Sequence, residues 1–307
     1  MANYLVTGGA GFIGSHISQA LLDRGHRVRV VDNFATGFKH NLRDGVEFME
    51  GDLAERSVAA NAVKGMDYLI HQGAIPSVPR SVAKPAESHR ANIDATLNLL
   101  IEGRDAGARR LVFAGSSSVY GNTVQLPKTE TMPTHPLSPY ALQKLMGEMY
   151  CQMFTRLYGF ETVTTRYFNV FGPRQDPGSP YSGVISLFIK ALHEKTRPVI
   201  YGDGEQTRDF TYVANVVDAV LRAAETPGVG GEVINVATNR RISLNELLAT
   251  LNKVFGTSLE PIYKEARQGD VKDSLADITK AEQLLGYKPI VGLEDGLRAT
   301  VKWFTEA

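Results

Sequence analysis

Eight residues, TGGAGFIG from Thr7 to Gly14, begin on the last residue of the apolar run NYLVT and lead into a helical pattern. Gly9, Gly11 and Gly14 satisfy the spacing G-x-G-x-x-G, and Gly8 adds another position without a side chain. A strand–turn–helix junction of this kind leaves free N–H groups and the positive end of a helix dipole facing an approaching anion. Its glycines let a pyrophosphate come close to the backbone. The helix it opens carries Ile13, Ile17, Ala20 and Leu21 on one side and stops at Gly25. Eighteen residues after Gly14, at the end of the next apolar run, stands Asp32. A carboxylate there accepts from both hydroxyls of an adenosine ribose and repels a 2′-phosphate, so the two features together predict NAD rather than NADP.

That junction begins a longer alternation. Apolar runs at 3–7, 27–31, 46–50, 67–71, 110–115 and 161–168 are separated by segments of helical length at 12–24, 54–63, 86–106 and 140–158. Runs rich in β-branched residues suit strands covered on both faces. The alternation predicts βαβ units in an α/β fold, a doubly wound parallel sheet of Rossmann type. After residue 169 the texture changes, because NVFGPRQDPGSPYSG holds three glycines and three prolines in fifteen residues, an ordered excursion rather than another βα unit. Helical and strand patterns return at 213–226 and 232–236, and short helices follow near 243–255, 279–285 and 293–305. The expected organisation is an NAD-binding domain over 1–168, rejoined by about 213–238, and a smaller α/β substrate-binding lobe over 169–307. Ligands of open α/β sheets lie at the carboxyl ends of the strands, so the lobe boundary is the expected cleft.

Charge narrows the ligands. Lysine plus arginine equals aspartate plus glutamate, 33 each, so no global field draws the chain to nucleic acid or to an anionic membrane. No run of about 18 apolar residues is present for a membrane span, and MANYLVTGGAG leaves no charged and apolar leader. A cytoplasmic protein is expected. Cys151 is the single cysteine and forms no internal disulfide, and it reads as a small buried apolar side chain. The histidines show no H-E-x-x-H or Cys/His spacing, so no metal is expected.

Three more strand ends point to the same cleft. Gly51-Asp52-Leu53 offers an acceptor and an apolar side chain where an adenine would lie, and His71-Gln72-Gly73-Ala74 supplies small residues for close backbone approach. His71 itself reads as a packed structural histidine. The run at 110–115 leads into Ser116-Ser117-Ser118-Val119-Tyr120-Gly121, and the next long helix opens with PYALQK, Pro139 to Lys144. Tyr140 and Lys144 stand one helical turn apart, which puts a phenol and an ammonium on one face. A hydroxyl, a phenol and an ammonium therefore converge where a nicotinamide would sit. The ammonium and a positively charged nicotinamide both favour phenolate, moving a pKa of about 10 toward neutrality. The helix 140–158 carries Leu142, Leu145, Met146, Met149, Met153 and Leu157 around much of its circumference. A surface helix needs one apolar stripe, so the remainder calls for a cover, either a partner subunit or the second lobe.

With the glycine loop, Asp32, the serine run and Tyr140-x-x-x-Lys144 in this order, the chain resembles the extended short-chain dehydrogenase/reductases. More narrowly it is similar to the NAD-dependent nucleotide-sugar epimerases, UDP-hexose 4-epimerases in particular. The resemblance extends through DNFATG (32–37), GDL, HQGA, SPYALQK, RYFNVFGPRQDP (166–177), GDGEQTRDFTYV (202–213) and GDVKDSLADITKA (269–281), essentially the whole chain. It implies Ser116, Tyr140 and Lys144 as the catalytic set, with Tyr140 the acid/base. Lys144 would bind the nicotinamide ribose and Ser116 the reacting sugar hydroxyl. It implies NAD contacts from Gly8, Gly11, Phe12, Ile13, Asp32, Asn33, Gly37, Asp52, Leu53, Gln72, Ala74, Asn92, Tyr140, Lys144 and Tyr167. Sugar-nucleotide contacts would come from Ser117, Asn169, Arg208, Arg267 and Ser274, the two arginines holding a diphosphate. A homodimer through the helices at 86–106 and 140–158 is also implied.

The implied reaction is reversible C4 epimerisation of a UDP-hexose through a 4-keto intermediate, with NAD retained throughout. Sugar dehydratases and decarboxylases of the family carry an acidic residue where Ser118 stands. UDP-glucuronate 4-epimerases share S-S-S-V-Y-G but tend to have P-W-G-R-P where this chain has GPRQDP, and they form the alternative reading. Ser274 is small where some 4-epimerases limited to glucose and galactose have tyrosine, which leaves room for a 2-acetamido group. The expected substrates are therefore UDP-GlcNAc and UDP-GalNAc, alongside UDP-Glc and UDP-Gal. Readings of another kind are a catalytically idle NAD(H) sensor and a net dehydrogenase that releases NADH.

Overall fold

The computed structural model describes residues 1–176, 183–266 and 272–306. Seven strands form one parallel sheet: β1 (Asn3–Thr7), β2 (Arg27–Asp32), β3 (Glu47–Glu50), β4 (Tyr68–His71), β5 (Arg110–Ser116), β6 (Glu161–Tyr167) and, much later, β11 (Val233–Val236). Their order is β11-β6-β5-β4-β1-β2-β3, with every adjacent pair parallel. The chain order reverses between β1 and β4, which sets a crevice at the carboxyl edge of the sheet.

Alternation along β1 shows how both faces fill. Tyr4 and Val6 point to one cluster, with Ile17 and Leu21 of α1 (Phe12–Asp23) and the apolar face of α8 (Val213–Glu225). Leu5 points to the other, with Ala59 of α2 (Arg56–Ala62), Leu99 of α5 (Ala95–Asp105) and Cys151 and Phe154 of α6 (Pro139–Tyr158). Side chains of period two, buried on both sides, are what a helix-covered parallel sheet requires. Arg110, at the start of β5, pairs with Glu161 at 2.6 Å and donates to the carbonyls of Ala223 and Thr226 at 2.8 and 2.6 Å. A buried guanidinium thus satisfies the open end of α8.

The segment expected as one helix at 86–106 divides. After α3 (Val78–Ala83) come α4 (Pro85–His89), a π turn at Arg90–Asp94, and α5. The remaining strands are short: β7 (Val170–Phe171), β8 (Val199–Tyr201), β9 (Thr207–Arg208), β10 (Thr211–Tyr212), β12 (Ile242–Ser243) and β13 (Ile262–Lys264). A third apolar cluster joins α7 (Val184–His193), α9 (Leu244–Phe255) and α11 (Leu293–Glu306) through Phe188, Leu192, Leu247, Leu251, Leu297 and Val301. The helix α10 (Thr279–Leu285) packs back on the first cluster through Ala281 and Leu285. Among the described residues no helix is long and apolar enough to cross a membrane.

Candidate active site

A cleft of about 1470 Å³ runs along the carboxyl edge of the sheet. Its floor is the turn between β1 and α1. Gly8 has φ +65, and a Cβ there would stand 2.8 Å from Gly73 Cα, while one at Gly14 would stand 2.2 Å from the carbonyl oxygen of Gly8. Any side chain at either position would collide with this backbone and force the turn open. At the end of β2, the buried Asp32 accepts from the N–H of Ala10 at 3.0 Å and of Phe34 at 2.8 Å. Burial raises its pKa above the usual carboxylate value, and these backbone donors pull the other way. Asp32 thus ties its loop to the glycine turn and retains lone pairs for a diol.

Phe12, Ile13, Asn33, Gly37, Asp52, Leu53, Gln72 and Ala74 all border this cleft. The Asp52 carboxylate is engaged by Arg90 and by the Ala54 N–H at 2.9 Å, so its acceptor capacity is shared. Gln72 Nε2 donates to the Tyr167 hydroxyl at 3.0 Å, and burial raises that phenol to a pKa of about 12. Asn92 is not among the residues that border the cleft. It is buried away from the cleft, its Oδ1 accepts from Ile75 N at 2.8 Å and its Nδ2 donates to Gln143 Oε1 at 2.8 Å. The π turn carries it inward, where its amide ties the loop after β4 to α6.

His71 is the packed residue the sequence suggests. Thr96 Oγ1 donates to Asn92 O at 2.7 Å, so at 2.9 Å it accepts from His71 Nε2–H; Nδ1 then accepts from Thr7 Oγ1 at 2.7 Å. Burial lowers its pKa to about 3.

The far wall is built by β5 and α6. Ser138 caps α6, accepting from Ala141 N at 3.1 Å, Pro139 opens it, and Gly159 ends it in a left-handed turn. One turn in, Lys144 is buried and its Nζ donates to Ala114 O of β5 at 2.9 Å. Burial lowers this ammonium to a pKa of about 8. Tyr140 and Ser116 hydrogen-bond through their side chains, which favours phenolate, but burial outweighs it and raises the phenol. In the chain alone the shift is opposite to the one expected, because desolvation dominates and the Lys144 ammonium is directed at the sheet. Ser116 Oγ lies 2.9 Å from Ser118 Oγ, and Ser117 borders the cleft beside them.

Asn169, Arg208 and Ser274 border the opposite side. Asn169 Nδ2 donates to Asp209 O at 2.9 Å, and Ser274 N donates to Thr207 O at 3.0 Å, so the three segments are held together. Arg267 lies outside the described residues. Two residues were not foreseen from the sequence. Arg174 has φ +65, borders the cleft and keeps its Nη1 buried without a hydrogen-bond partner among the described residues. His16 Nε2 lies 2.9 Å from Pro173 O, which brings this segment against α1. Lys128 is the second, and it borders the serine side.

The glycine cradle, the Asp32 carboxylate beside it and the unpartnered Arg174 nitrogen form the donor and acceptor set a dinucleotide requires, so the residues present fit NAD.

Comparison with known proteins agrees with this geometry. Residues 4–237 match the model of the NAD dependent epimerase/dehydratase family. A UDP-glucose 4-epimerase of Mycolicibacterium smegmatis is 38% identical over 307 residues, covering 98% of this chain and 97% of that protein. The structure of a UDP-N-acetylglucosamine 4-epimerase from Methanobrevibacter ruminantium M1, in complex with UDP-N-acetylmuramic acid, superposes with a TM-score of 0.95 at 41% identity, covering 99% and 98% of the two chains. The UDP-glucose 4-epimerase of Thermotoga maritima with UDP-glucose gives a TM-score of 0.95 at 39% identity, with 99% of each chain covered.

Proposed function

The chain belongs to the NAD dependent epimerase/dehydratase family, and from that premise we propose that it interconverts UDP-hexoses at C4, acting on UDP-GlcNAc/UDP-GalNAc and UDP-Glc/UDP-Gal with tightly held NAD. The observation that carries this reading is the meeting of Ser116, Tyr140 and Lys144 on one wall of the cleft that the glycine turn floors. Bound NAD supplies a hydride acceptor that can return the hydride to either face of the sugar.

The chain's own residues do the rest. Tyr140 Oη takes the proton of the 4-hydroxyl and gives it back to the 4-keto oxygen after the sugar has turned over. Ser116 Oγ, already hydrogen-bonded to that phenol, orients the reacting oxygen. Lys144 has one donor fixed on Ala114 and two free for a ribose. Asp32 accepts from the adenosine ribose. Asn169 and Arg208 hold the sugar nucleotide, and Ser274, buried and small, leaves space beside the sugar. The part over 1–168, completed by about 213–238, binds the dinucleotide, and the part over 169–307 holds the sugar nucleotide.

Purified protein incubated with UDP-GalNAc or UDP-Gal, without added NAD, tests the reading by NMR of the products. Formation of the 4-epimers supports it. No product supports an NAD(H) sensor, and product only with added NAD supports a dehydrogenase.

The same reading makes the enzyme a cytoplasmic homodimer. Leu142, Met149 and Leu157 are exposed on α6, Met149 by 59% and Leu157 by 60%, a stripe that nothing among the described residues covers and that a second copy would bury. Light scattering should return a dimer, and Met149→Lys combined with Leu157→Glu should return a monomer.

A further inference from the structure

Two lysines are buried among the described residues, Lys144 at 5% exposure and Lys128 at 2%. The mechanism uses the first. The second sits in the loop between Tyr120 and α6 and borders the cleft beside Ser118, Asn122, Leu137 and Ser274.

Its backbone is fixed on three sides. Lys128 N donates to Leu275 O at 2.8 Å, and Lys128 O accepts from Asp277 N at 2.9 Å and from Asn235 Nδ2 at 2.9 Å. Lys128 and Ala276 form a parallel bridge. Ser274 is two residues before Ala276 in an extended segment, so alternation brings Ser274 to the face that Lys128 shares.

The side chain is under-used. Nζ has three protons, and one goes to Thr123 O at 3.1 Å. The Tyr120 ring lies 5.8 Å away. No carboxylate among the described residues reaches it: Glu130, two residues on, turns its Oε1 to Asn235 N at 2.8 Å. A buried ammonium with no anion and spare donors is costly unless a ligand completes its shell. Burial lowers its pKa, with no charged neighbour opposing the shift.

We propose that Lys128 is a specificity-determining residue of the sugar subsite, donating to a carbonyl oxygen carried on the sugar ring, the amide of a C2 acetamido group or the carboxylate of a C6 uronate. The inference rests on the UDP-sugar reading of the cleft. Ser274 supplies the space for the substituent and Lys128 the donor it meets there. A plain hexose has no such oxygen and leaves Nζ to water.

The test compares Lys128→Met and Lys128→Gln with the unaltered protein, using UDP-GlcNAc, UDP-glucuronic acid and UDP-Glc. Each is measured for kcat and KM, and for binding by titration calorimetry. Loss of one charge-assisted hydrogen bond should lower the kcat/KM of the substituted sugar relative to UDP-Glc by about tenfold or more, mostly through KM. A drop confined to UDP-GlcNAc assigns the C2 amide, and one confined to UDP-glucuronic acid assigns the C6 carboxylate. Unchanged ratios in both variants, with melting temperature retained, overturn the proposal and leave Lys128 a strut for Thr123. If the unaltered protein epimerises none of the three, the catalytic reading has failed instead, and the calorimetric ratios still decide the role of Lys128. If one variant does not fold, the other carries the comparison.

Discussion

The Lys144 ammonium is anchored on β5, 2.9 Å from the carbonyl oxygen of Ala114, although Tyr140 stands one turn before it on α6. The contact fixes where the remaining two donors can go, and it makes the lysine a post between helix and sheet. It also means that burial, which raises the Tyr140 phenol, has to be overcome by groups brought into the cleft. Tyrosinate absorbance should therefore appear at lower pH in NAD-loaded protein than in stripped protein. Identical titrations would remove the bound cofactor from the account of how Tyr140 is activated.

Tyr140→Phe removes the proton carrier and little else. We expect kcat to fall by about 10²–10⁴, with melting temperature and NAD content close to those of the unaltered protein. Full activity in this variant would refute the proton-transfer role.

Asp32→Asn keeps the shape of the side chain and puts an amide hydrogen against one of the two N–H groups, of Ala10 or Phe34, that the carboxylate now accepts from. NAD affinity should drop by about tenfold or more, and discrimination against NADP should relax. Nucleotide content after gel filtration, and competition by NADP, read both effects.

Legibility in the sequence followed locality. The strands and the Tyr140–Lys144 pair depend on neighbours within one turn or one strand, and their patterns were plain. The helix α7 was equally patterned, with Ile185, Phe188, Ile189 and Leu192 on one side, but it follows a run of glycine and proline that drew the reading toward an irregular excursion. Asn92 owes its inward position to a π turn, which no residue spacing announces and which swings it to Ile75 and Gln143. Arg174 owes its place to a positive φ. Lys128 owes its burial to a bridge with Ala276, far along the chain. Neither could be read from adjacent residues.

Gly14→Ala should test the cradle. The new Cβ would lie 2.2 Å from the Gly8 carbonyl oxygen, so the turn must open. A stability loss of about 2 kcal/mol or more is expected, with sub-stoichiometric NAD. A variant that retains both its melting temperature and its nucleotide would show that the turn tolerates a side chain.

Acid should destabilise the fold through His71. Its pKa is about 3 in the folded chain against an ordinary value of 6.5, so below 6.5 the unfolded chain binds a proton that the folded one refuses. Stability is lost as pH falls from 6.5 toward 3, by at most roughly 1.4 kcal/mol per pH unit. His16, lowered to about 4 by burial, adds a similar slope. Denaturant titrations between about pH 7 and pH 5 should show a flatter dependence in His71→Gln. An unaltered slope would mean that His71 does not contribute.

The sheet's last member has a consequence for how such a chain can be cut or synthesised. β11 pairs with β6, yet it emerges from the ribosome only after α7, β8, β9, β10 and α8 have been made. Until then β6 presents a row of unpaired N–H and C=O groups along a strand rich in β-branched residues, and the face that α8 will cover is bare. A fragment ended near Tyr167 would keep that edge permanently, and an edge of this kind recruits strands from other molecules. Expressed alone, the glycine-loop half should collect in inclusion bodies rather than behave as a miniature nucleotide binder.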